Sequence, residues 1–287
     1  MSTTTAEATR EGERWDRSSP VSDVFNEGQA HLGYWYGPDD GTPMAEASRR
    51  LTRKVVDVLG VRADQHVLDA GCGPGGPALL VAEETGARVT GVTVSRFEAE
   101  AGAGKAAARG LSDRVRFEHG DYARLGHHAD GSFDAVMAME SLQYAPDLPG
   151  ALAELFRVLR PGGALTMTDY TLAPGVPPRE RDALAEQLAL PHLQPVEAWL
   201  DALRETGFAV EEYTQCGPRV FGMGPKYVEA AEHGRDRIGA AFGPEAVSGL
   251  KEAMGRFFAT GGERIAYSVV TVRRPRAAGE GPGTGRE

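Results

Sequence analysis

Val67-Leu-Asp-Ala-Gly-Cys-Gly-Pro-Gly-Gly76 is the stretch whose reading decides the fold. With the preceding Gln65-His66, its first residues make a short apolar run through Ala70 that reads as a buried strand. The glycines and proline then form a turn, and Gly75–Thr85 reads as a helix. A glycine turn is informative only in this strand-to-helix setting, where absent side chains let the backbone approach a ligand closely.

The same alternation continues outward. Arg88–Val94 reads as a second strand, Arg96–Arg109 as an alanine-rich helix and Arg114–Glu118 as a third strand. Phe133–Met139 is a fourth strand, followed by the helix Leu148–Leu159, where Leu152, Leu155, Phe156 and Leu159 recur at helical spacing. Arg160-Pro-Gly-Gly163 turns into a fifth strand, Ala164–Thr168. Strands alternating with helices predict βαβ units with right-handed crossovers, hence a doubly wound, Rossmann-like α/β sheet. Ligands of such sheets bind at the C-terminal ends of the strands.

Past Asp169 the rhythm changes. Pro195–Gly207 reads as a helix stopped by Gly207, Phe208–Tyr213 as a strand, and Ile265–Val272 as a last strand. Residues 217–262 between those two strands are helical in pattern, a long insertion that is a candidate lid or simply extra packing. Residues 1–20 and 274–287 are polar and read as flexible ends around a body spanning 21–273.

Composition narrows the partners. The chain has 287 residues and a net charge of −10, a poor match for a phosphate backbone, so no nucleic acid is expected. No apolar run approaches the roughly 18 residues of a membrane span, and Met1–Asp16 lacks an apolar signal core, so a cytoplasmic protein is expected. Cys72 and Cys216 lack the number for a disulfide framework and the spacing of metal ligands. His127-His128 lie near Asp130, His119 and Asp121, but adjacent histidines on a surface loop share no face of an element, so no metal is expected there.

Gly71, Gly73 and Gly76 satisfy the dinucleotide pattern GxGxxG. Two features argue against a dinucleotide. Asp69 lies just before the first glycine, where an anion repels a pyrophosphate and suits a cationic or hydroxyl-bearing ligand. The second strand ends Val92-Thr93-Val94-Ser95, without the acid expected about 20 residues on for the ribose of NAD. The constellation favours S-adenosylmethionine. An NAD-dependent oxidoreductase and a noncatalytic adenosine-ligand binder stand as rivals.

LDAGCGPGG, with Gly120-Asp-Tyr122, SFDAVMAMESL at Ser132–Leu142 and LRPGG at Leu159–Gly163, resembles a class I S-adenosylmethionine-dependent methyltransferase. The resemblance covers roughly Asn26 to Arg274. It is strongest to bacterial natural-product methyltransferases such as the rebeccamycin sugar and rifamycin O-methyltransferases, through His31-Leu-Gly-Tyr-Trp35 and Glu140-Ser-Leu142. It implies seven strands with the last antiparallel, a helical N-terminal segment, and a lid at 217–262.

The resemblance also implies roles. Asp69, Gly71 and Gly73 should lie against the methionine part and ribose of the cofactor. Thr93 stands where most class I enzymes carry an acid, so Ser95 and Glu98 should help hold the ribose, the latter accepting both hydroxyls. Asp121 should accept from the adenine amino group, with Tyr122 on the ring and Met139 nearby. Tyr34 and Trp35 should close over the cofactor.

Methyl transfer from a sulfonium needs alignment, and a hydroxyl acceptor also needs its proton removed. The resembling O-methyltransferases carry Glu-Ser-Leu-His-His after the fourth strand, whereas this chain has Glu140-Ser-Leu-Gln143-Tyr144. Gln143 cannot take a proton but can orient a hydroxyl. Asp169, in Thr168-Asp-Tyr170, is the expected base or orienting group, with His31 and His192 as substitutes. An amine acceptor would need no strong base, and Glu140 with Asp169 could stabilise a cation formed during C-methylation. O-methylation of a small secondary metabolite ranks first, N-methylation second and C-methylation third. Phe221, Met223, Tyr227, Met254, Phe257 and Phe258 make the insertion apolar enough for an uncharged or aromatic acceptor. A monomer or homodimer is expected.

Overall fold

The computed structural model describes residues 3–276. The glycine turn follows the central strand of a seven-stranded sheet. That strand, β1 (His66–Ala70), pairs in parallel with β2 (Arg88–Thr93) on one side and β4 (Phe133–Met139) on the other. β3 (Val115–His119) lies outside β2, and β5 (Leu159–Leu172) runs parallel to β4. β7 (Ile265–Arg273) is inserted antiparallel between β5 and β6 (Ala209–Gln215), giving the order β3-β2-β1-β4-β5-β7-β6. The chain leaves β1 toward β2 and later returns to β1's other side with β4. This reversal opens a crevice at the C-terminal end of β1.

Ten α-helices are described: α1 (Thr3–Phe25), α2 (Met44–Leu59), α3 (Gly76–Thr85), α4 (Arg96–Ala108), α5 (Leu148–Val158), α6 (Pro178–Leu188), α7 (Val196–Thr206), α8 (Gly224–His233), α9 (Arg235–Phe242) and α10 (Pro244–Gly261). β1 is buried almost throughout because both its faces are covered. Leu51, Val55, Leu79 and Val81 pack one side of the sheet; Leu152, Leu155, Trp199 and Leu203 pack the other. Each such side chain contributes roughly 1.5–3 kcal/mol by leaving water. Gly207, in the left-handed region at φ 106°, ends α7 where the sequence places its stop.

Three expectations are corrected. Residues 1–20 were expected to be flexible, yet the chain is helical from Thr3 to Phe25. The helix docks on α4: Ser95 Oγ and the Phe97 amide donate to Asp16, and Lys105 Nζ lies 2.5 Å from Asp23 Oδ1. Of the tail, residues 277–287 fall outside the described ones, while Arg274 is tied down by the carbonyls of Phe156, Arg157 and Leu159. Arg160-Pro-Gly-Gly163 does not separate two elements, because β5 runs through it as an irregularity. Phe133 pairs with Leu159 and Ala135 already with Ala164, so extra residues bulge out, with Gly162 at φ 77°.

Candidate active site

A cleft opens at the C-terminal ends of β1, β2 and β4. Gly71, Gly73, Thr93, Glu98, Asp121, Tyr122, Met139 and Glu140 line it, all of them singled out from sequence. Glu11, Trp15, Ala30, Val94, Ser141, Tyr144 and Pro146 complete the lining, and these the sequence did not single out.

The floor is the glycine turn. Gly71 (φ 81°) and Gly73 (φ 52°) occupy the left-handed region. A Cβ on Gly71 would collide with the Ser141 side chain, and one on Gly73 would sit 2.7 Å from Ala30 Cβ. The Gly71 and Cys72 amides donate to the Val92 carbonyl at 2.9 and 3.1 Å, locking the turn to the end of β2. Asp69, almost wholly buried, accepts from the Ala78 amide in the first turn of α3, but its Oδ2 has no partner. Burial pushes its carboxyl up to about 8, against the pull of the Ala78 amide.

At the end of β2, Glu98 is buried with one hydrogen bond on each oxygen. Thr93 Oγ1 donates to Oε2 and Ser19 Oγ to Oε1, each at 2.5 Å. Burial raises this carboxyl's pKa, and the two hydroxyl donors oppose the shift. Ser95 does not line the cleft. It is the N-cap of α4, accepting from the Glu98 amide at 3.1 Å and donating to Asp16. Asp121 Oδ1 accepts from the Ala123 amide, and Tyr122 donates its hydroxyl to the Ser141 carbonyl.

Tyr34 and Trp35, expected over the cofactor, are packed elsewhere. Trp35 donates Nε1–H to the Thr42 carbonyl and meets Tyr227 edge to face. Tyr34 lies beneath Lys54 and Arg219. Neither lines the cleft, and its N-terminal wall comes instead from α1 and Ala30. The 217–262 insertion likewise contributes no lining residue. It buttresses the segment after α1: Tyr227 Oη bonds Gly33, and Lys226 reaches the Asp40 carbonyl. Its aromatics wall a separate groove of about 920 Å³ that includes Phe221, Met223, Phe258 and Ile265.

The end of β4 carries Glu140, held at φ 51°. Its Oε1 accepts from the Leu32 amide (2.8 Å) and the Tyr267 hydroxyl (2.7 Å), and its Oε2, among the described residues, from the Tyr170 hydroxyl alone (2.7 Å). Burial raises its pKa, opposed by these three donors. Asp169 lies behind the lining, fully buried, with Oδ2 accepting from the Gln143 amide (3.2 Å) and Oδ1 from its neighbour Tyr170's amide (3.0 Å). Burial and the nearby Glu140 charge hold its pKa well above the usual carboxylate range. Gln143, in the turn Leu142–Tyr144, is also fully buried, and neither side-chain amide atom has a partner. The two substitute bases are in structural positions. His31 bonds the Leu32 carbonyl and Thr52, and burial lowers its pKa to about 4; His192 donates to the Ala145 carbonyl.

Comparison with known proteins agrees with this geometry. Residues 67–163 match a methyltransferase domain family. The chain is 31% identical over 268 residues to the methyltransferase GfsG of Streptomyces halstedii, covering 92% of this chain and 94% of that protein. It is also 31% identical to the 27-O-demethylrifamycin SV methyltransferase of Amycolatopsis mediterranei, over 92% of this chain and 96% of that one. Among solved structures, the [4+2]-cyclase SpnF superposes with a TM-score of 0.81 at 30% identity, covering 94% of this chain and 97% of that one. The chain belongs to the methyltransferase family.

Methyltransferases of this fold are crystallised with S-adenosylmethionine or its product, and S-adenosylmethionine is the cofactor of this family. The residues present fit it. Asp69 Oδ2 is a buried acceptor without a partner, suited to a cationic or hydroxyl-bearing group. The two glycines leave a cradle that Cβ atoms would close. No acid beyond the ordinary glycine turn favours a nicotinamide dinucleotide, since β2 ends in Thr93.

Proposed function

We propose that this chain methylates a hydroxyl group of a small, apolar natural-product acceptor. The observation that carries this reading is Glu140: a cleft-lining, partly buried carboxylate whose Oε2 accepts one hydrogen bond among the described residues. A carboxylate oxygen has two acceptor positions, so Oε2 retains one for an incoming hydroxyl. Its raised pKa moves it toward the range in which a general base works best. The name of the rifamycin relative supports an oxygen acceptor.

Bound S-adenosylmethionine supplies a methyl group already activated as a sulfonium. Asp69, Gly71 and Gly73 are proposed to hold its methionine part. Thr93 and Glu98 receive the ribose hydroxyls, Ser95 fixing Glu98 through the α4 cap. Asp121 takes the adenine amino group, with Tyr122 and Met139 against the ring. Gln143 keeps an unspent donor and an unspent acceptor, a pair that orients a hydroxyl. Asp169 serves as a positioning residue: by accepting the Gln143 amide it fixes the turn that carries Gln143 and Tyr144. The proton leaving the hydroxyl goes to Glu140 Oε2, with Tyr170 and Tyr267 holding the carboxylate in place.

The test is turnover with methyl-labelled cofactor and a panel of apolar alcohols. Glu140→Gln is expected to lower kcat about 10²–10⁴-fold and to abolish the rise of rate with pH that ionisation of Glu140 gives the parent. Binding of S-adenosylhomocysteine should be retained. If both proteins keep the same pH profile, Glu140 is only an anchor for Leu32. Gln143→His is expected to raise turnover and add a limb in the imidazole range. A product of unchanged mass would instead favour chemistry of the kind named for the cyclase neighbour.

A further inference from the structure

Outside the cleft, β3 and the loop after it bring together three side chains that the sequence separates. His127 Nε2 and His128 Nε2 lie 2.9 and 3.0 Å from the same atom, Glu118 Oε2, and the three donor atoms all fall within 4.8 Å of one another. The histidines are sequence neighbours that share no regular element, which is why no metal was expected. What the sequence did not show is that the loop folds back so both imidazoles face the end of β3.

We propose that Glu118, His127 and His128 form a binding site for a divalent transition-metal ion of the zinc class, with one coordination position open. Imidazole nitrogen and carboxylate oxygen are the donors such ions take, at about 2.0–2.2 Å. Ligand atoms around a tetrahedral ion are then about 3.3–3.6 Å apart, so the two histidine–glutamate spacings of 2.9 and 3.0 Å need widen by only about half an ångström. Each imidazole supplies a lone pair from Nε2 in the tautomer that carries its proton on Nδ1, and the Glu118 carboxylate supplies negative charge.

The surroundings are those of a built site. Arg157 Nη1 donates to the His128 carbonyl (2.9 Å) and to Asp130 Oδ1 (2.6 Å), and its Nη2 donates to the Leu125 carbonyl (3.0 Å). Glu154 accepts from the Leu125 amide, so α5 holds the loop at several points. The His128 ring is buried beside Phe133, at 5.0 Å between centroids. The exposed His127 ring is free to adjust, and Arg116 pairs with Glu118 through the other oxygen, Oε1, at 2.9 Å. An ion here would join β3 to the connection that carries Asp121 and Tyr122 into the cleft.

The experiment uses the full chain without an affinity tag, stripped with chelator. Zinc binding is followed by calorimetry and by metal content after dialysis. About one zinc per chain is expected, with micromolar or tighter affinity that weakens as the pH falls and the imidazoles protonate. Glu118→Gln and His127→Ala should each weaken binding by more than about tenfold, the order seen even for loss of an outer-shell partner. His127→Ala changes an exposed side chain and should leave the thermal unfolding of the metal-free protein unchanged. Absence of uptake by the parent overturns the proposal, as does equal uptake by both variants, which would place the ion elsewhere.

Discussion

The floor and the roof of the cleft are built by opposite means. The floor comes from neighbours in sequence: the glycine turn bonds to Val92, and Thr93 bonds to Glu98 five residues on. The roof comes from residues far apart, with α1 reaching Glu98 through Ser19 and Ser95 through Asp16. Leu32 is held by Glu140, and Gly33 by Tyr227. The floor keeps Asp69 Oδ2 unspent and the roof keeps Glu11 Oε2 and Gln29 Oε1, but the roof's contacts at Asp16, Ser19 and Leu32 are already made. A floor with an open acceptor is prepared for a ligand. A roof contact already closed, as at Ser19, must exchange partners when the ligand takes the same position.

The largest effect should come from the floor. Asp69→Ala is expected to reduce S-adenosylhomocysteine affinity by more than about 100-fold, since it removes a buried acceptor suited to a cationic group. Because Asp69 also caps α3 through the Ala78 amide, Asp69→Asn is the cleaner variant, and about 10–100-fold loss is expected from losing the charge. The parent should show a second signature. With the carboxyl raised to about 8 in the free protein, binding a cation must draw off its proton at lower pH. Affinity should climb as the pH rises toward that value and then level, and the climb should vanish in Asp69→Asn. Calorimetry across pH decides it: an unchanged affinity in both variants would remove Asp69 from the cofactor site.

The same contrast explains what could be read without a structure. The strands flanking the glycine turn announce themselves through short apolar runs, and the turn through Gly71 and Gly73, because local backbone demands leave a local record. Thr93, Glu98, Asp121 and Tyr122 also line the cleft, but they were named through the resemblance to class I methyltransferases and not through a local backbone demand. The α1 helix was not legible. Its sequence carries charged and hydroxyl residues and an internal Pro20, and its docking residues, Asp16, Ser19 and Asp23, each meet a partner about 80 residues away. So Glu11 and Trp15 could not be placed in the cleft from sequence. By contrast α2 left a signal that could have been used, since Leu51, Val55, Val56 and Leu59 recur at helical spacing. The aromatic pair Tyr34-Trp35 misled for the opposite reason. Its hydrophobic bulk is equally suited to a core, and the insertion supplies one through Tyr227.

The buried imidazole of the roof should make it sensitive to acid. His31 is buried and neutral, bridging the Leu32 carbonyl and Thr52 on α2, with a pKa lowered from 6.5 to about 4. Its folded pKa lies below the unfolded one, so the unfolded chain binds the proton first. Stability is therefore intact above 6.5 and is lost as the pH falls toward 4, by on the order of 3 kcal/mol at most. Thermal unfolding over that range should show the loss. His31→Gln should be less stable at neutral pH, with a flatter slope on acidification. A parent whose unfolding temperature holds steady over the window would mean that the roof opens enough to solvate the imidazole.

The smallest effect separates floor from roof most directly. If Glu98 is to receive two ribose hydroxyls, the Ser19 hydroxyl fills one of the two acceptor positions of Oε1 and competes with a ribose hydroxyl aimed at that position, whereas Thr93 belongs to the floor. Ser19→Ala removes that competitor. Glu98 in the free protein loses a hydrogen bond worth about 1 kcal/mol, and the bound state loses nothing it was using. S-adenosylhomocysteine should then bind about fivefold more tightly, with a slightly lower unfolding temperature without ligand. Weaker binding in Ser19→Ala would show that α1 keeps its hold on Glu98 while the cofactor is bound. The roof would then be part of the cofactor site, and the ribose would have to find its acceptors elsewhere.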